Sequence, residues 1–242
     1  MNAELYFVCN ICHNEYRPVE ERSGANESSP RFCVHVYFLS IRWGAGPAKG
    51  GAMEESQSKK HRMLDCPVIA AVKDEAGLAA ALKSECEVIF LLFGSVVNIP
   101  DLVERVREAG KLAIVHIDLL DGLSQREVAV DGLTRMCAPD GIISTRPALV
   151  RRARHLGLLT VQRAFILDSL ALSNLPAQLS VGKPDFIEIL PGIMPRVITE
   201  ITQSTATPVI AGGLIKYKDE VMAAMRAGAA AVSTTCPAVW EM

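Results

Sequence analysis

The hydrophobic pattern of the chain becomes regular at residue 67, where short apolar runs begin to alternate with amphipathic segments. The amphipathic segments have apolar residues three or four positions apart, which is typical of helices that pack on one face. The runs are nearly continuous in apolar residues, as expected of parallel strands buried on both faces. They span residues 67–72, 87–93, 112–118, 140–144, 158–162, 185–190, 208–212 and 230–234. The pattern therefore predicts eight strands with a helix after each of the first seven.

Eight parallel strands separated by helices favour the α/β class and, within it, a closed (β/α)8 barrel of the TIM type. A doubly wound open sheet is the alternative, but it usually has fewer strands, and no glycine fingerprint for a dinucleotide follows the first run. Nine residues follow Ser233, so the last helix is predicted to be short and to be formed by "PAVWEM". We assign the barrel to residues 63–242.

Residues 1–62 lack this periodicity, and we interpret them as an irregular N-terminal extension. The stretches "ERSGANESSP" and "GAGPAKGGA" are rich in Gly, Ser and charge, which is typical of linkers and disordered chain. Only "VHVYFLSIRW" in this part resembles a strand. We predict that the extension is either disordered or a gene-model artefact, with the true start at Met53 or Met63.

The composition is that of a globular protein without a general affinity for polyanions. Of the 242 residues 50% are hydrophobic, and 25 Lys plus Arg against 27 Asp plus Glu give a formal net charge of −2. A nucleic acid would therefore have to meet a local basic patch. No apolar run approaches the ~20 residues of a membrane helix and no signal peptide is recognisable, so we predict a cytoplasmic protein without a membrane partner. Seven cysteines, an odd number, suit reduced thiols.

Two glycines end the seventh predicted strand, and small hydroxyl residues end the eighth. In a TIM-type barrel, ligands bind where the strands end, and phosphate commonly lies at the loops after strands seven and eight. Glycine exposes main-chain N–H groups to an anion, and a helix N-terminus adds a favourable dipole. The alternative is that the glycines form only a tight turn and the hydroxyls only a helix cap. We predict a phosphate site at Gly212, Gly213, Ser233 and Thr234.

Six further polar residues lie at or just after the ends of the predicted strands. His116 and Asp118 are two positions apart, so on a strand they would face the same side. A buried carboxylate without a role is costly, and we therefore favour a ligand site over internal pairing for Asp118 and Glu188. His116 is equally compatible with a satisfied core histidine. The ligand set predicted from these strands is Lys73, His116, Asp118, Thr145, Arg163 and Glu188.

The chemistry of this set is ambiguous. Carboxylates near a lysine serve acid–base catalysis on a sugar phosphate, metal binding, or hydrogen bonding to the hydroxyls of a polyol. Nothing in the sequence resembles an activated nucleophile dyad or a strong metal motif at the strand ends. We therefore predict no cofactor.

The N-terminal extension contains a second candidate site. Cys9, Cys12 and His13 match a c-type haem attachment motif, but that chemistry needs an exported chain, and no export signal is recognisable. Together with Cys33 and His35, the two cysteines make four soft ligands suited to tetrahedral zinc, although the second spacing is unusual. Zinc at Cys9, Cys12, Cys33 and His35 therefore stays an alternative.

From about residue 67 to its end, the chain resembles the glycerol uptake operon antiterminator regulatory protein family. The resemblance is carried by "PVIAAVKD", "VIFLLFG", "VHIDLLDGLS", "DGIISTRP", "QRAFILDS", "IEILPGIMP", "PVIAGGLI" and "AGAAAVSTT". It implies a TIM-barrel sensor that binds glycerol 3-phosphate and, when loaded, binds leader mRNA so that transcription passes a terminator. Asp118, Arg163 and Glu188 would then recognise the hydroxyls or the charge of the effector, an assignment that rests on barrel geometry. Residues 1–62 depart from the family pattern, which begins with a short helix before the first strand.

The segment "RPALVRRARHLG" after the fourth strand collects several arginines on one predicted outer helix. Taken alone it is typical of a solvated helix face, and no aromatic interleaving or RNA-recognition signature accompanies it. The resemblance makes Arg146, Arg151, Arg152 and Arg154 the predicted RNA-binding residues. The sequence thus favours a glycerol 3-phosphate-responsive RNA-binding regulator. A barrel enzyme acting on a small phosphorylated polyol is the alternative, and a homo-oligomer is left open.

Overall fold

The computed structural model describes residues 49–242, which form a closed, parallel, eight-stranded barrel surrounded by helices. The strands are arranged in chain order, and the eighth pairs with the first. Their bounds are β1 Val68–Val72, β2 Val88–Leu91, β3 Leu112–His116, β4 Gly141–Ser144, β5 Leu159–Phe165, β6 Phe186–Leu190, β7 Val209–Gly212 and β8 Ala231–Thr234. Every strand overlaps one of the predicted runs, so the predicted (β/α)8 barrel is confirmed.

The outer helices follow the strands as the apolar spacing predicts. They are α1 Lys49–Asp65, α2 Glu75–Ala81, α3 Ile99–Glu108, α4 Glu127–Cys137, α5 Pro147–His155, α6 Ser169–Gly182, α7 Pro195–Ser204, α8 Lys218–Arg226 and α9 Pro237–Trp240, with a 3₁₀ turn at Ile117–Leu119. Proline stands in the first turn of α3, α5, α7 and α9, where a missing N–H costs little. Asp74 and Asp168 cap α2 and α6 through their carboxylates. The short last helix is confirmed as α9.

Alternation along the strands sends side chains in turn to the barrel lumen and to the helices. The lumen holds one apolar cluster that includes Ile69, Phe90, Ile114 and Phe186, each at most 1% exposed. A larger apolar cluster fills the shell between the strands and the helices. Because the lower and middle layers of the lumen are apolar, lumen-facing polar side chains are concentrated near the carboxyl ends of the strands. This end of the barrel is called the mouth below.

Helix α1 corrects one prediction, because it begins inside the segment 1–62 that we interpreted as irregular. It closes the amino-terminal end of the barrel, where Met63 is fully buried in the lumen cluster. From residue 57 to the end of α1, Met63 is the one buried side chain. The sequence did not reveal this helix because it buries one side chain, and not a row of apolar side chains along one face. Its sequence therefore lacks the 3.6-residue periodicity of an amphipathic helix.

Polar side chains of α1 attach it to the base of the barrel. Lys59 Nζ lies 3.0 Å from Asp140 Oδ1, and the Arg62 guanidinium donates to the Gly110 carbonyl at 2.8 Å. Asp140 in turn accepts the main-chain N–H of Ala113 at the start of β3 at 2.9 Å. In TIM-type barrels this end serves stability, and the contacts of α1 agree with that role.

A chain that starts at Met53 is expected to be as stable as the full chain, because it keeps these α1 contacts. A chain that starts at Met63 loses the Lys59 and Arg62 pairs and most of α1. We expect its melting temperature to fall by about 5–10 °C, since such partly buried pairs together contribute about 2–3 kcal/mol in a protein of this size. Scanning calorimetry of the three chains measures the effect. Equal melting temperatures for the Met53 and Met63 starts would mean that α1 does not stabilise the barrel.

No helix within residues 49–242 has both the length and the apolar character needed to cross a bilayer. The four cysteines in this range, Cys66, Cys86, Cys137 and Cys236, form no disulfide.

Candidate functional site

The polar centre of the mouth is an ion pair inside the lumen. Arg163 on β5 and Glu188 on β6 are paired in the strand register, and alternation turns both into the lumen. Arg163 Nε donates to Glu188 Oε2 at 2.5 Å, and the Ser233 hydroxyl from β8 donates to Glu188 Oε1 at 2.5 Å. Glu188 is fully buried, and Arg163 is 9% exposed. The Glu188 charge is therefore compensated within the protein by a neighbouring strand.

Glycine is required at positions 212 and 213 for two different structural reasons. A Cβ atom on Gly212 would lie 2.6 Å from Glu188 Oε1 and 2.8 Å from the Ser233 hydroxyl, so only glycine leaves room for the buried network. Gly213 has φ +76° and Leu214 has φ +64°, and these two left-handed residues turn the chain sharply out of β7. Successive main-chain N–H groups in such a turn can form a concave anion site.

A cavity of about 420 Å³ opens at this corner of the mouth. Its walls are residues 213–216 of the loop after β7 and residues 233–236, which form the end of β8 and the start of the next loop, while Arg163, Glu188 and Leu190 contribute from β5 and β6. We call it the mouth cavity. The structure thus brings together the predicted residues Arg163, Glu188, Gly213, Ser233 and Thr234, with Gly212 directly beneath. Their use by a ligand stays a prediction.

Sequence reasoning missed one charged residue of the mouth cavity, Lys216. Lys216 is solvent-exposed and lies three positions after Gly213, and within residues 49–242 its ammonium group has no acidic partner within 4.0 Å. It therefore adds a positively charged side chain to a wall that also carries hydroxyl groups, while the Glu220 carboxylate binds its main-chain N–H at 2.7 Å. The sequence does place this lysine three positions after the double glycine, in the loop after β7, and that position could have indicated its role.

Lys73 does not line the mouth cavity, although it was predicted to belong to the same site. It lies in a neighbouring cavity of about 350 Å³ between the β1–α2 loop and α9, together with Trp240. Thr235 lines both cavities. Lys73 is thus next to the predicted phosphate corner on the far side of Thr235.

His116 is 2% exposed, and its Nδ1 has no hydrogen-bond partner among the described residues. Burial and then the nearby Arg163 charge lower the pKa of His116 from 6.5 to about 4, with a smaller opposing effect of Asp118. The imidazole is therefore neutral at pH 7. A neutral, buried ring with an unpaired nitrogen can accept or donate one hydrogen bond to a hydroxyl group that enters the lumen.

Asp118 holds a loop in place. We predicted that it would face the same side as His116 on a strand, but β3 ends at His116 and Asp118 lies in the 3₁₀ turn, so strand alternation does not reach it. Its carboxylate accepts hydrogen bonds from the Ser144 hydroxyl at 2.9 Å and from the Thr145 N–H and hydroxyl at 2.7 and 2.9 Å. Asp118 and Thr145 thus bind each other across the β3 and β4 ends. A ligand contact for either is untested.

The predicted RNA-binding arginines make intramolecular contacts. Arg151 donates to Glu127 of α4 at 2.7 Å, and Arg152 binds the Asp131 carboxylate of α4 through both Nε and Nη2. Arg154 contacts the Lys183 carbonyl and the Asp185 carboxylate. Arg146 contacts the Gln125 side chain and the Asp118 carboxylate. Most of the charge of this helix is therefore balanced by neighbouring carboxylates. Its role in RNA binding remains a prediction.

The candidate zinc ligands Cys9, Cys12, Cys33 and His35 lie outside the described residues, and the zinc prediction is untested. Within residues 49–242, no cluster of three or more His, Cys, Asp or Glu side chains is arranged to hold a metal ion. A larger cavity of about 650 Å³ lies between α6 and α7, but its one ionisable lining residue is Glu200. That groove is unsuited to an anion, so the mouth cavity is the candidate site.

The fold and the mouth cavity define a TIM-type barrel with a small, cation-bearing cavity at the loops after β7 and β8. A family model described as glycerol-3-phosphate responsive antiterminator matches residues 68–240. The chain belongs to this family, and the resemblance inferred from the strand-end motifs is confirmed.

The relatives include both sequence and structural matches. The protein YgcP of Escherichia coli (strain K12) is 42% identical over 182 residues, which cover 75% of this chain and 95% of YgcP. The crystal structure of a glycerol uptake operon antiterminator regulatory protein from Listeria monocytogenes str. 4b F2365 is 35% identical, with a TM-score of 0.68, and the match covers 69% of this chain and 91% of the other. A glycerol uptake operon antiterminator-related protein from Thermotoga maritima MSB8 is 29% identical, with a TM-score of 0.65 and coverage of 73% and 99%.

Enzymes of the same fold are more distant. A deoxyribose phosphate aldolase from Aeropyrum pernix is 13% identical, with a TM-score of 0.55, and the match covers 79% of this chain and 96% of the aldolase. At this identity the likeness concerns the fold alone. The family is described as an antiterminator family, so the chain is a regulator, and the enzyme alternative is set aside.

Proposed function

We propose that this protein is a cytoplasmic transcription antiterminator that binds glycerol 3-phosphate in the mouth cavity and, when loaded, binds the leader mRNA of genes for glycerol uptake or metabolism. The observation that carries the effector assignment is the mouth cavity itself. It combines a positively charged wall with a buried hydrogen-bonding floor in about 420 Å³. That space suits a small phosphorylated polyol better than a nucleotide or a long chain.

The phosphate group would occupy the wall made by residues 213–216 and 233–235. There Lys216 offers an ammonium group, Thr235 offers a hydroxyl, and the turn at Gly213 offers main-chain N–H groups. The charge of Glu188 is balanced by Arg163, so a phosphate at this wall meets the Lys216 charge without a competing free carboxylate from the floor.

The hydroxyl groups of the effector would point to the floor of the cavity. Glu188, Ser233 and Arg163 form one hydrogen-bonded network there, and its oxygen atoms have spare acceptor capacity. His116 does not line the mouth cavity, but it lies close enough to Arg163 for that charge to lower its pKa, and its Nδ1, which has no partner among the described residues, is a further hydrogen-bonding group in the lumen. This arrangement would separate the two ends of the ligand, with phosphate at the loops and hydroxyls in the lumen.

Glycerol 3-phosphate is expected to raise the melting temperature of the protein, whereas glycerol is not. A ligand that binds only the folded state adds about 2.7 kcal/mol to the free energy of unfolding at a hundredfold excess over its dissociation constant, which is about 5–10 °C in a chain of this size. Lys216→Ala should remove most of this rise because it deletes the charge on the phosphate wall. Differential scanning fluorimetry measures the response.

Lys218→Ala is the matched control for the effector site, because Lys218 is exposed at the start of α8, two residues after Lys216, but does not line the mouth cavity. It should respond to glycerol 3-phosphate as the unaltered protein does. An equal response to glycerol would exclude a phosphate-directed site. A full response of the Lys216→Ala variant would place the phosphate elsewhere.

A further inference from the structure

Four exposed side chains with the chemistry of a single-strand RNA site lie at the mouth of the barrel. Phe165, the last residue of β5, is 49% exposed, and Tyr217, which precedes α8, is 65% exposed. Arg196 and Lys218 stand exposed at the first turns of α7 and α8. All four lie at or after the carboxyl ends of β5, β6 and β7, which are consecutive in the barrel. We call this set the mouth rim.

The cationic side chains of the mouth rim form no ion pair at contact distance with any described residue, although Asp219 and the Glu220 carboxylate, which binds main-chain N–H groups of Lys216 and Tyr217, lie nearby. Within the part of the chain that the structure describes, neither Arg196 nor Lys218 has an acidic partner within 4.0 Å, and the same holds for Lys216 just below. Asp219, beside Lys218, is an exposed acidic neighbour and lowers the local charge. The arginines of α5 differ, because Arg151 and Arg152 each bind a carboxylate of α4. A polyanion would have to break those pairs to use α5, but it meets available cations at the mouth rim.

The aromatic residues of the mouth rim give this charge a specific partner. Single-stranded nucleic acid binds where cations meet its phosphates and exposed aromatic rings stack on its bases. Double-stranded RNA hides its base faces, so Phe165 and Tyr217 would add nothing to its binding. Phe165 pairs in register with Leu190, a residue of the mouth cavity, so the ring lies at the edge of that cavity.

Two hydrogen bonds restrain the backbone that presents Tyr217 at its α8 end. The Glu220 carboxylate accepts the N–H groups of Lys216 and Tyr217 at 2.7 and 3.1 Å, which holds both residues at the start of α8. A ring on a restrained backbone loses less conformational freedom when a base stacks on it. Lys216 lines the mouth cavity, and the next residue is the exposed aromatic.

We propose that the mouth rim, formed by Phe165, Arg196, Tyr217 and Lys218, is the surface on which this protein binds single-stranded leader RNA, in place of the arginine helix α5. This inference rests on the proposed function, since it assumes that RNA is the partner. It also gives the effector a short route to the RNA. A phosphate held by Lys216 restrains the loop that carries Tyr217, so the loaded protein presents a more ordered stacking platform than the empty one.

The experiment uses the full chain and a random-sequence pool of short, thiouridine-containing RNA single strands, with and without saturating glycerol 3-phosphate. Ultraviolet light cross-links thiouridine to residues in contact, and mass spectrometry of the digested protein locates them. We expect cross-links on the peptides of Phe165 and Tyr217, with higher yield in the presence of the effector. Cross-links confined to the α5 peptide would overturn the proposal.

The RNA affinities of variants also distinguish the mouth rim from α5. Phe165→Leu and Tyr217→Leu keep an apolar side chain but remove the ring, and each should weaken retention of the RNA pool by roughly tenfold. Lys218→Gln should reduce the slope of log affinity against log salt by about 0.7, the value for one phosphate contact on a single strand. Tyr217→Phe keeps the ring and should retain the RNA. The matched control is Arg151→Gln with Arg154→Gln, which should change nothing.

The outcomes separate the surface from the proposed function. If the unaltered protein retains no RNA with or without glycerol 3-phosphate, then RNA binding itself fails, and the mouth rim proposal falls with it. If RNA is retained but the ring variants bind it as well as the unaltered protein does, only the surface is wrong. A protein dimer that Tyr217→Leu dissociates, without any RNA retention, would make the mouth rim an interface between two copies. Every variant must keep its thermal response to glycerol 3-phosphate, which shows that the fold is intact.

Discussion

Replacing Glu188 by alanine is expected to lower the free energy of unfolding by about 3–5 kcal/mol, the cost of leaving one partner of a buried ion pair uncompensated. Arg163 would keep its charge in the lumen with 9% of its surface exposed, and the Ser233 hydroxyl would lose its acceptor. The cavity left by the carboxylate adds to this loss, because Gly212 beside it has no side chain to fill the space. Urea unfolding at pH 7 measures the change.

A double variant separates the lost charge balance from the lost packing. In Arg163→Met with Glu188→Leu, neither charge remains, so much of the stability should return even though the hydrogen bonds are gone. Glu104→Ala is the control on the surface, because Glu104 and Arg107 form an exposed pair whose removal should cost less than about 1 kcal/mol. A Glu188→Ala variant as stable as the Glu104→Ala variant would mean that the lumen pair is hydrated and does not contribute to the core.

The barrel could be predicted because its strands are buried on both sides. A strand between a packed lumen and a shell of helices must be apolar at nearly every position, and that run is visible without any other information. The corner at Gly212 and Gly213 was visible for a similar reason, since a double glycine at a strand end has few structural explanations. Both signals are local, and each lies within one stretch of sequence.

The features that the sequence concealed depend on partners far along the chain. Arg151 pairs with Glu127, 24 residues earlier, and Arg154 pairs with Asp185, 31 residues later. No property of "RPALVRRARHLG" itself indicates that neighbouring elements neutralise it. The sequence thus predicts that the arginines lie on one outer helix, but the carboxylates that balance their charge are brought close only in the assembled barrel.

Other differences arise from element ends and from the covering helix. Asp118 was assigned to a strand that ends two residues earlier, and boundaries are the least certain part of any pattern. Helix α1 buries Met63 and little else, so it resembles a polar linker. Lys216 lies in a loop, where a lysine is usually solvated, and only the arrangement of the β7 and β8 loops makes it part of a cavity wall.

Acid should destabilise the protein through His116. The pKa of His116 is about 4 in the folded protein because of burial and the Arg163 charge, against an ordinary value of 6.5 when the chain is unfolded. Between these values the unfolded chain binds a proton that the folded protein does not, so the free energy of unfolding falls as the pH falls from about 7 to about 4. The interval corresponds to a loss of about 3 kcal/mol from this residue.

Carboxylates also titrate in this range, so the histidine contribution is measured as a difference between variants. Urea unfolding of the unaltered protein and of His116→Asn at pH 7.5 and 4.5 should show a steeper acid loss in the unaltered protein, by about 2–3 kcal/mol. His155→Asn is the control, because His155 is exposed at the end of α5 and its loss should leave the slope unchanged. Parallel acid loss in the unaltered protein and in His116→Asn would mean that the pKa of His116 is the same in the folded and the unfolded protein. His116 would then gain its proton in the folded protein near its ordinary pKa, and in acid the lumen would hold two cations around Glu188 instead of one.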